Sequence, residues 1–136
     1  MKIGLDTSVV LRLITGEPED LALAALRTVE RLLAANHKVT VSDLVASETY
    51  FALQYHFGMP KSEALDVLAT FFRQSHVEAA GAAAKILATP ILSSTRPGFV
   101  DRMIHAEYAR IADTMLTFER AARKLSKTRV LSRQSS

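Results

Sequence analysis

Four carboxylates occupy places where an α/β protein presents side chains to a ligand. Asp6 directly follows the first apolar stretch of the chain, and Glu119 follows a similar stretch near the other end. Asp101 falls in the first turn of a predicted late helix, and Glu48 lies on the apolar side of an earlier one. Ligands of open α/β sheets bind outside the carboxyl ends of the strands. The four acids are therefore candidates for a single site.

Ordinary structural roles also explain the strand-end and helix-start acids one at a time. Asp6, Thr7 and Ser8 all offer acceptors to the unpaired amides of a helix start, and for this stretch alone capping is the better explanation. An acid in the first turn of a helix, such as Asp101, interacts favourably with the helix dipole. Neither role explains why acids recur after two strands and on two helices.

Glu48 shares a helical stripe with large apolar residues. Leu44, Phe51 and Tyr55 lie at helical spacing with it, so this face of the helix is predicted to point into the core. A carboxylate on a buried face is costly unless it is paired or binds a cation. For a lone glutamate an edge position or an ion pair with arginine is favoured, and a cation site is the alternative.

Acids that converge on one pocket require neutralisation. Two unit charges about 4 Å apart repel by about 4 kcal/mol at an effective dielectric constant near 20. Either some of the acids are protonated or divalent cations are bound. The chain has no cysteine, and carboxylate oxygens suit Mg²⁺ or Mn²⁺, which bind through a few carboxylates and substrate phosphate. Such an ion activates water and stabilises charge on a phosphodiester, so hydrolytic cleavage of a nucleic acid is implied.

Hydroxyls stand beside two of the acids. Thr7 and Ser8 follow Asp6, and Thr117 precedes Glu119 by two residues. We expect these hydroxyls to orient the carboxylates or to hold water.

The elements that position the acids alternate between strands and helices. Predicted strands precede Asp6 and cover 38–41, 76–78, 114–118 and 130–131; predicted helices end at Gly16 or lie at 21–33, 44–57, 60–72, 79–88, 99–111 and 120–127. This alternation predicts an α/β fold, a mainly parallel central sheet with helices on both faces. Right-handed crossovers would bring the carboxyl ends of the first and fourth strands to one edge.

Length and composition indicate one globular domain. The 136 residues, 49% of them apolar, predict a domain over 1–131 and a polar tail over 132–136. No apolar run approaches the roughly 18 residues of a membrane span, and the start of the chain lacks the pattern of a secretory signal. We therefore expect a cytoplasmic protein that does not insert into a membrane.

A basic block follows Glu119 with no acid among its charges. Such a block is either a solvated face or a contact for a polyanion, and the sequence favours neither. If it binds RNA, the contacts fall on Arg120, Arg123, Lys124 and Lys127.

Two further residue types bear on the site. Of the four histidines only His105, one turn after Asp101, could reach the acids, and a packing role for it is favoured. Few aromatic residues stand near the acids in the sequence, so we expect no base-stacking platform.

The ordered set of motifs resembles the PIN-domain family, and especially its VapC-type toxins. The resemblance spans essentially the whole chain and rests on Leu5-Asp6-Thr7-Ser8, Ser47-Glu48, Val100-Asp101 and Leu116-Thr117-Phe118-Glu119. It implies an Mg²⁺- or Mn²⁺-dependent endoribonuclease that is made beside an antitoxin and is commonly a homodimer. By motif, Asp6, Glu48 and Asp101 correspond to the core catalytic and metal-binding acids, and Glu119 to the fourth.

The chain departs from the family pattern at two places. Glu119 stands where the family more often has aspartate, and Arg102-Met103 follows Asp101 where small and apolar residues are usual. An RNA-binding module with an impaired catalytic site is therefore the alternative to an active nuclease.

Overall fold

Parallel strands form the framework of the chain, which a computed structural model describes over residues 1–133. One sheet has the order β1-β2-β3, and a second sheet pairs β4 with β5. The strands are β1 (Lys2–Gly4), β2 (Lys38–Val41), β3 (Glu78–Ala79), β4 (Met115–Thr117) and β5 (Thr128–Val130). Ile3 lies opposite Val39, and Val41 lies opposite Ala79. Parallel pairing throughout the described residues confirms the predicted α/β class.

Helices connect these strands. They are α1 (Thr7–Thr15), α2 (Glu19–Ala34), α3 (Asp43–Tyr55), α4 (Lys61–Gln74), α5 (Ala83–Leu87) and α6 (Phe99–Ile111), with 3₁₀ turns at Leu92–Ser94 and Arg120–Lys124. Gly16 ends α1 in the left-handed region at a φ of 71°, and its amide donates to the Arg12 carbonyl. Ser42 caps α3, because its hydroxyl accepts a hydrogen bond from the Val45 amide at 3.2 Å.

The core lies between the first sheet and the helices. Val39 and Val41 of β2 are fully buried, and Thr40 between them is half-buried, so both faces of this central strand are covered. Leu53 of α3 and Phe99 of α6 are also fully buried. Each such side chain stabilises the fold by about 1.5–3 kcal/mol relative to exposure.

Short elements at the C-terminal end differ from their predicted bounds. The predicted helix 79–88 is shortened to α5, and the predicted basic helix 120–127 is a 3₁₀ turn followed directly by β5. In the predicted tail 132–136, the last three residues lie outside the described part of the chain.

The first and fourth strands were expected to end at one edge of a single sheet, but they lie in two sheets. Among residues 1–133, β1 and β4 belong to different hydrogen-bonded sheets. Strands of two to four residues make few ladder bonds, so contacts between helices and strands decide where the acids lie.

Among residues 1–133, every helix is too short or too polar to cross a bilayer.

Candidate functional site

Asp6 occupies the N-cap position of α1 without capping it through its side chain. Its backbone is extended, with φ −78° and ψ 162°, and its carbonyl accepts from the amides of Val9 and Val10 at 3.0 and 3.1 Å. Its carboxylate receives only a long bond of 3.5 Å, which the Ser8 hydroxyl donates. The capping explanation is therefore wrong for this carboxylate, which is exposed to solvent.

Thr7 joins the end of β1 to α3. Its hydroxyl donates a 2.7 Å hydrogen bond to Oε1 of Glu48, across 41 residues of sequence. The bond is possible because α1, which begins at Thr7, packs against α3. The residue after Asp6 thus holds the Glu48 carboxylate, as the predicted orienting role requires.

The apolar stripe that contains Glu48 faces solvent, so the expectation that it faces the core is wrong. Leu44, Phe51 and Tyr55 are 74%, 43% and 78% exposed, and Glu48 is exposed as well. The opposite face of α3 is the buried one and consists of Ala46, Thr49, Tyr50 and Leu53. Both faces carry apolar residues, so periodicity alone could not distinguish them.

Asp101 and Glu119 line a small cavity of about 160 Å³. It forms where α6 packs against β4, and Pro97, from the loop preceding α6, lines it too. Asp101 is exposed and has no hydrogen-bond or ion-pair partner within residues 1–133. Its carboxylate is therefore available to a ligand.

Glu119 behaves unlike Asp6, although the sequence places both after strands. Oε1 of Glu119 accepts a 3.1 Å bond from the Ala121 amide and so caps the 3₁₀ turn. The Thr117 hydroxyl accepts a 3.0 Å bond from the Glu119 amide. Thr117 thus fixes the Glu119 backbone and not its carboxylate, while the second carboxylate oxygen stays available.

Two local arrangements bring acids near one another. Thr7, the residue after Asp6, holds Glu48, and Asp101 and Glu119 line one cavity. Within the described residues, no three acidic or histidine side chains gather closely enough to hold a metal ion. The donor chemistry nevertheless fits Mg²⁺ or Mn²⁺, because such an ion keeps several waters and needs only one or two carboxylates besides substrate phosphate.

His105 has the packing role that was favoured for it. Its Nε2 donates a 2.7 Å hydrogen bond to the Ser126 carbonyl, so the ring ties α6 to the connection between β4 and β5.

The predicted RNA-binding cations are all exposed. Arg120, Arg123 and Lys124 lie on the 3₁₀ turn that Glu119 caps. The Lys127 ammonium donates a 3.4 Å bond to the Ala109 carbonyl near the end of α6. Arg120, Arg123 and Lys124 therefore face solvent one to five residues after Glu119.

An exposed aromatic pair beside Glu48 was missed. Phe51 and Tyr55 stack on the solvent face of α3, so two exposed rings lie on the helix that carries Glu48. Their i, i+4 spacing immediately after Glu48 was the signal in the sequence, and it was interpreted as a core stripe.

Comparison with known proteins identifies a domain family. The family model described as PIN domain matches residues 3–128, which is most of the chain and includes all four acids. No curated protein and no solved structure gives a significant match.

Proposed function

The chain belongs to the PIN domain family, whose members are generally metal-dependent nucleases, and on that premise we propose that it is an endoribonuclease. The proposed reaction is hydrolysis of phosphodiester bonds in RNA. The observation that carries the proposal is the state of Asp6, a strand-end carboxylate that caps no backbone amide of the helix it precedes. A neighbouring hydroxyl meanwhile holds a second acid.

Asp6 and Glu48 would hold one Mg²⁺ or Mn²⁺ ion, and Asp101 and Glu119 would hold or position another. When bound, the ion supplies an activated water and neutralises charge on the scissile phosphate. Thr7 restricts the rotamers of Glu48 through its 2.7 Å bond. The exposed cations at 120–124 would lower the cost of bringing RNA phosphates near the carboxylates.

We further propose that the protein is the VapC-type toxin of a cytoplasmic toxin-antitoxin pair. A groove of about 420 Å³ between α1 and α2 is lined by apolar residues that include Leu5, Val9 and Leu21. Leu21, Leu23 and Leu26 of α2 are 49%, 41% and 45% exposed. Exposed apolar surface is typical of a partner site, and we assign the groove, which Leu21 lines, to the antitoxin.

A homodimer is proposed as the oligomeric state. Ile104, Tyr108 and Ile111 form an exposed apolar row on α6 that continues from Asp101. Light scattering during size exclusion tests this assignment, and a monomer at micromolar concentration would contradict it.

A specific observation favours one alternative, an RNA-binding module with an impaired site. One carboxylate oxygen of Glu119 is engaged in capping, which leaves less of this acid for a metal ion than an unengaged carboxylate would offer. This alternative predicts RNA binding in chelator and no cleavage in Mn²⁺.

Total RNA incubated with the protein, with and without Mn²⁺, tests the proposed function. We expect discrete fragments in Mn²⁺ and intact RNA in chelator. Intact RNA under both conditions, with binding retained, would instead support the impaired module.

A further inference from the structure

Phe51 and Tyr55 form a stacked aromatic pair on the surface of α3. Their ring centroids are 6.3 Å apart and their planes differ by 25°. Phe51 is 43% exposed and Tyr55 is 78% exposed. Two nearly parallel rings with open faces present the geometry that a planar aromatic ligand needs.

The pair is anchored to the core between the two helices that carry acids. Buried Tyr50 lies 5.4 Å from Phe51, and 5.4 Å from Phe99 at an interplanar angle of 80°. Phe99 begins α6 two residues before Asp101. Burial raises the pKa of the Tyr50 phenol, and the nearby Tyr55 phenol adds to the shift. Tyr50 thus packs against Phe51, and Phe51 in turn packs against Tyr55, before any ligand arrives. A ring that is already held in place lowers the entropy cost of binding.

The pair lies on the same helical face as Glu48. Phe51 is three residues and Tyr55 seven residues beyond Glu48, which corresponds to about 4.5 and 10.5 Å along the helix axis. A ligand stacked on these rings would therefore have its next chemical group within reach of the Glu48 carboxylate.

Charged side chains of both signs lie at the other end of the stripe. Leu44 lines a cavity of about 540 Å³ together with Lys85, Arg110, Glu107 and Asp43. The Asp43 carboxylate is engaged by the amides of Ala82 and Ala83 at 3.1 and 3.0 Å. The cavity therefore carries two cations and two acids, and the stripe runs from this end of mixed charge past Glu48 to the aromatic pair.

We propose that Phe51 and Tyr55 are a base-stacking subsite that holds an unpaired base of the RNA beside Glu48. Unpaired bases are the part of RNA that stacks on exposed protein rings. The inference rests on the proposed function for its ligand, and it adds the residues that position that ligand.

A second copy of the chain fits this stripe less well. A two-fold contact through the stripe would be self-complementary and would bring Glu48 of one protomer towards the same acid of its partner. Burying those carboxylates without cations is unfavourable. A nucleic acid instead leaves the carboxylate facing a phosphate and its counterions.

Fluorescence anisotropy in chelator tests the subsite without cleavage. The ligands are a short fluorescent oligoadenylate and the same ribose-phosphate chain without bases. Replacing Tyr55 by Leu keeps apolar area but removes the ring, and we expect affinity for oligoadenylate to fall about tenfold. Tyr55→Phe keeps the ring and should bind as the wild type does. Neither variant should alter binding of the base-free chain or the salt dependence, because no charge changes.

Phe57→Ala provides the matched control for Phe51→Ala, since Phe57 is 42% exposed but lies beyond the end of α3. Phe51→Ala should weaken oligoadenylate binding about tenfold, and Phe57→Ala should not. Equal losses for both, or equal losses for both ligands, would overturn the proposal. So would a change in oligomeric state on Tyr55→Leu, which would assign the stripe to a second copy.

The two proposals fail in different ways. If wild-type protein cleaves RNA in Mn²⁺ while Tyr55→Leu binds oligoadenylate normally, the nuclease assignment stands and the subsite is wrong. If ring-dependent binding is observed without cleavage, the subsite stands and the nuclease assignment is wrong.

Discussion

The hydrogen bond from Thr7 to Glu48 gives the sharpest mutational prediction. Replacing Thr7 by Val keeps the branched shape of the side chain and removes the only donor that holds Oε1 of Glu48, at 2.7 Å, among the described residues. Glu48 is exposed, so without this bond its carboxylate samples several rotamers. We expect metal-dependent cleavage to weaken while the fold is retained.

The expected loss of activity is larger than the expected loss of stability. Loss of a residue that orients a metal-binding side chain typically lowers activity or metal affinity about 10- to 100-fold, or about 1.4–2.7 kcal/mol. The effect on the free energy of unfolding should stay below about 1 kcal/mol, because the bond lies at the solvent-exposed surface and the new methyl group keeps the packing.

The assay is kcat/KM for a labelled RNA over a series of Mn²⁺ concentrations, with urea unfolding in parallel. Thr7→Ser keeps the hydroxyl and is the matched control, expected to stay within about threefold of wild type. Full activity of Thr7→Val at every Mn²⁺ concentration would refute the role of this bond. A loss shared equally by Thr7→Ser would show that the methyl group, not the hydroxyl, matters.

Three other changes test the fold and the surface. A Cβ at Gly81 would lie 2.5–2.7 Å from the Asp43 carboxylate, so Gly81→Ala should lower the free energy of unfolding by about 1–3 kcal/mol. Gly4→Ala is the control, because a Cβ there meets no atom within 4 Å and should change the free energy of unfolding little. Equal effects of the two substitutions in urea unfolding would be inconsistent with the contact at Gly81. Burial raises the pKa of Tyr50, so the phenol of the unfolded state loses its proton first and stability should fall as pH rises above about 10. Tyr50→Phe should flatten that part of the profile of stability against pH, and an unchanged slope would argue against this role of Tyr50. Neutralising the three cations at 120–124 should reduce the slope of log K against log salt by about two for binding of single-stranded RNA, and an unchanged slope would mean that they form only a solvated face.

The fold class was predictable because it depends on patterns that are local. Val39 and Val41 alternate with Thr40 in a strand, and Gly16 ends a helix where the pattern predicts it. The division into two sheets was not predictable, because it depends on how few ladder bonds strands of two to four residues can make.

The two strand-end acids show where sequence patterns stop being informative. Asp6 and Glu119 both follow a strand, yet only Glu119 accepts a backbone hydrogen bond from the turn it begins. The ψ angle is 162° at Asp6 and 111° at Glu119, so the two side chains leave the backbone in different settings. The order of residue types does not determine which acid caps.

The orientation of α3 could not be read from periodicity. Tyr50 and Leu53 on one face and Phe51 and Tyr55 on the other are all large and apolar. The packing partners of the helix, and not its own pattern, decide which face is buried. Sequence reasoning therefore placed Glu48 on the wrong face while identifying it as a candidate acid.

The most direct test of the central claim is metal-dependent RNA cleavage by the Asp6→Asn variant. The amide keeps the size of the side chain and removes its charge, so folding and RNA binding in chelator should match those of wild type. We predict that cleavage is abolished at every Mn²⁺ concentration. Retained cleavage with an unaltered Mn²⁺ requirement would contradict the assignment of Asp6 as the acid on which the site depends.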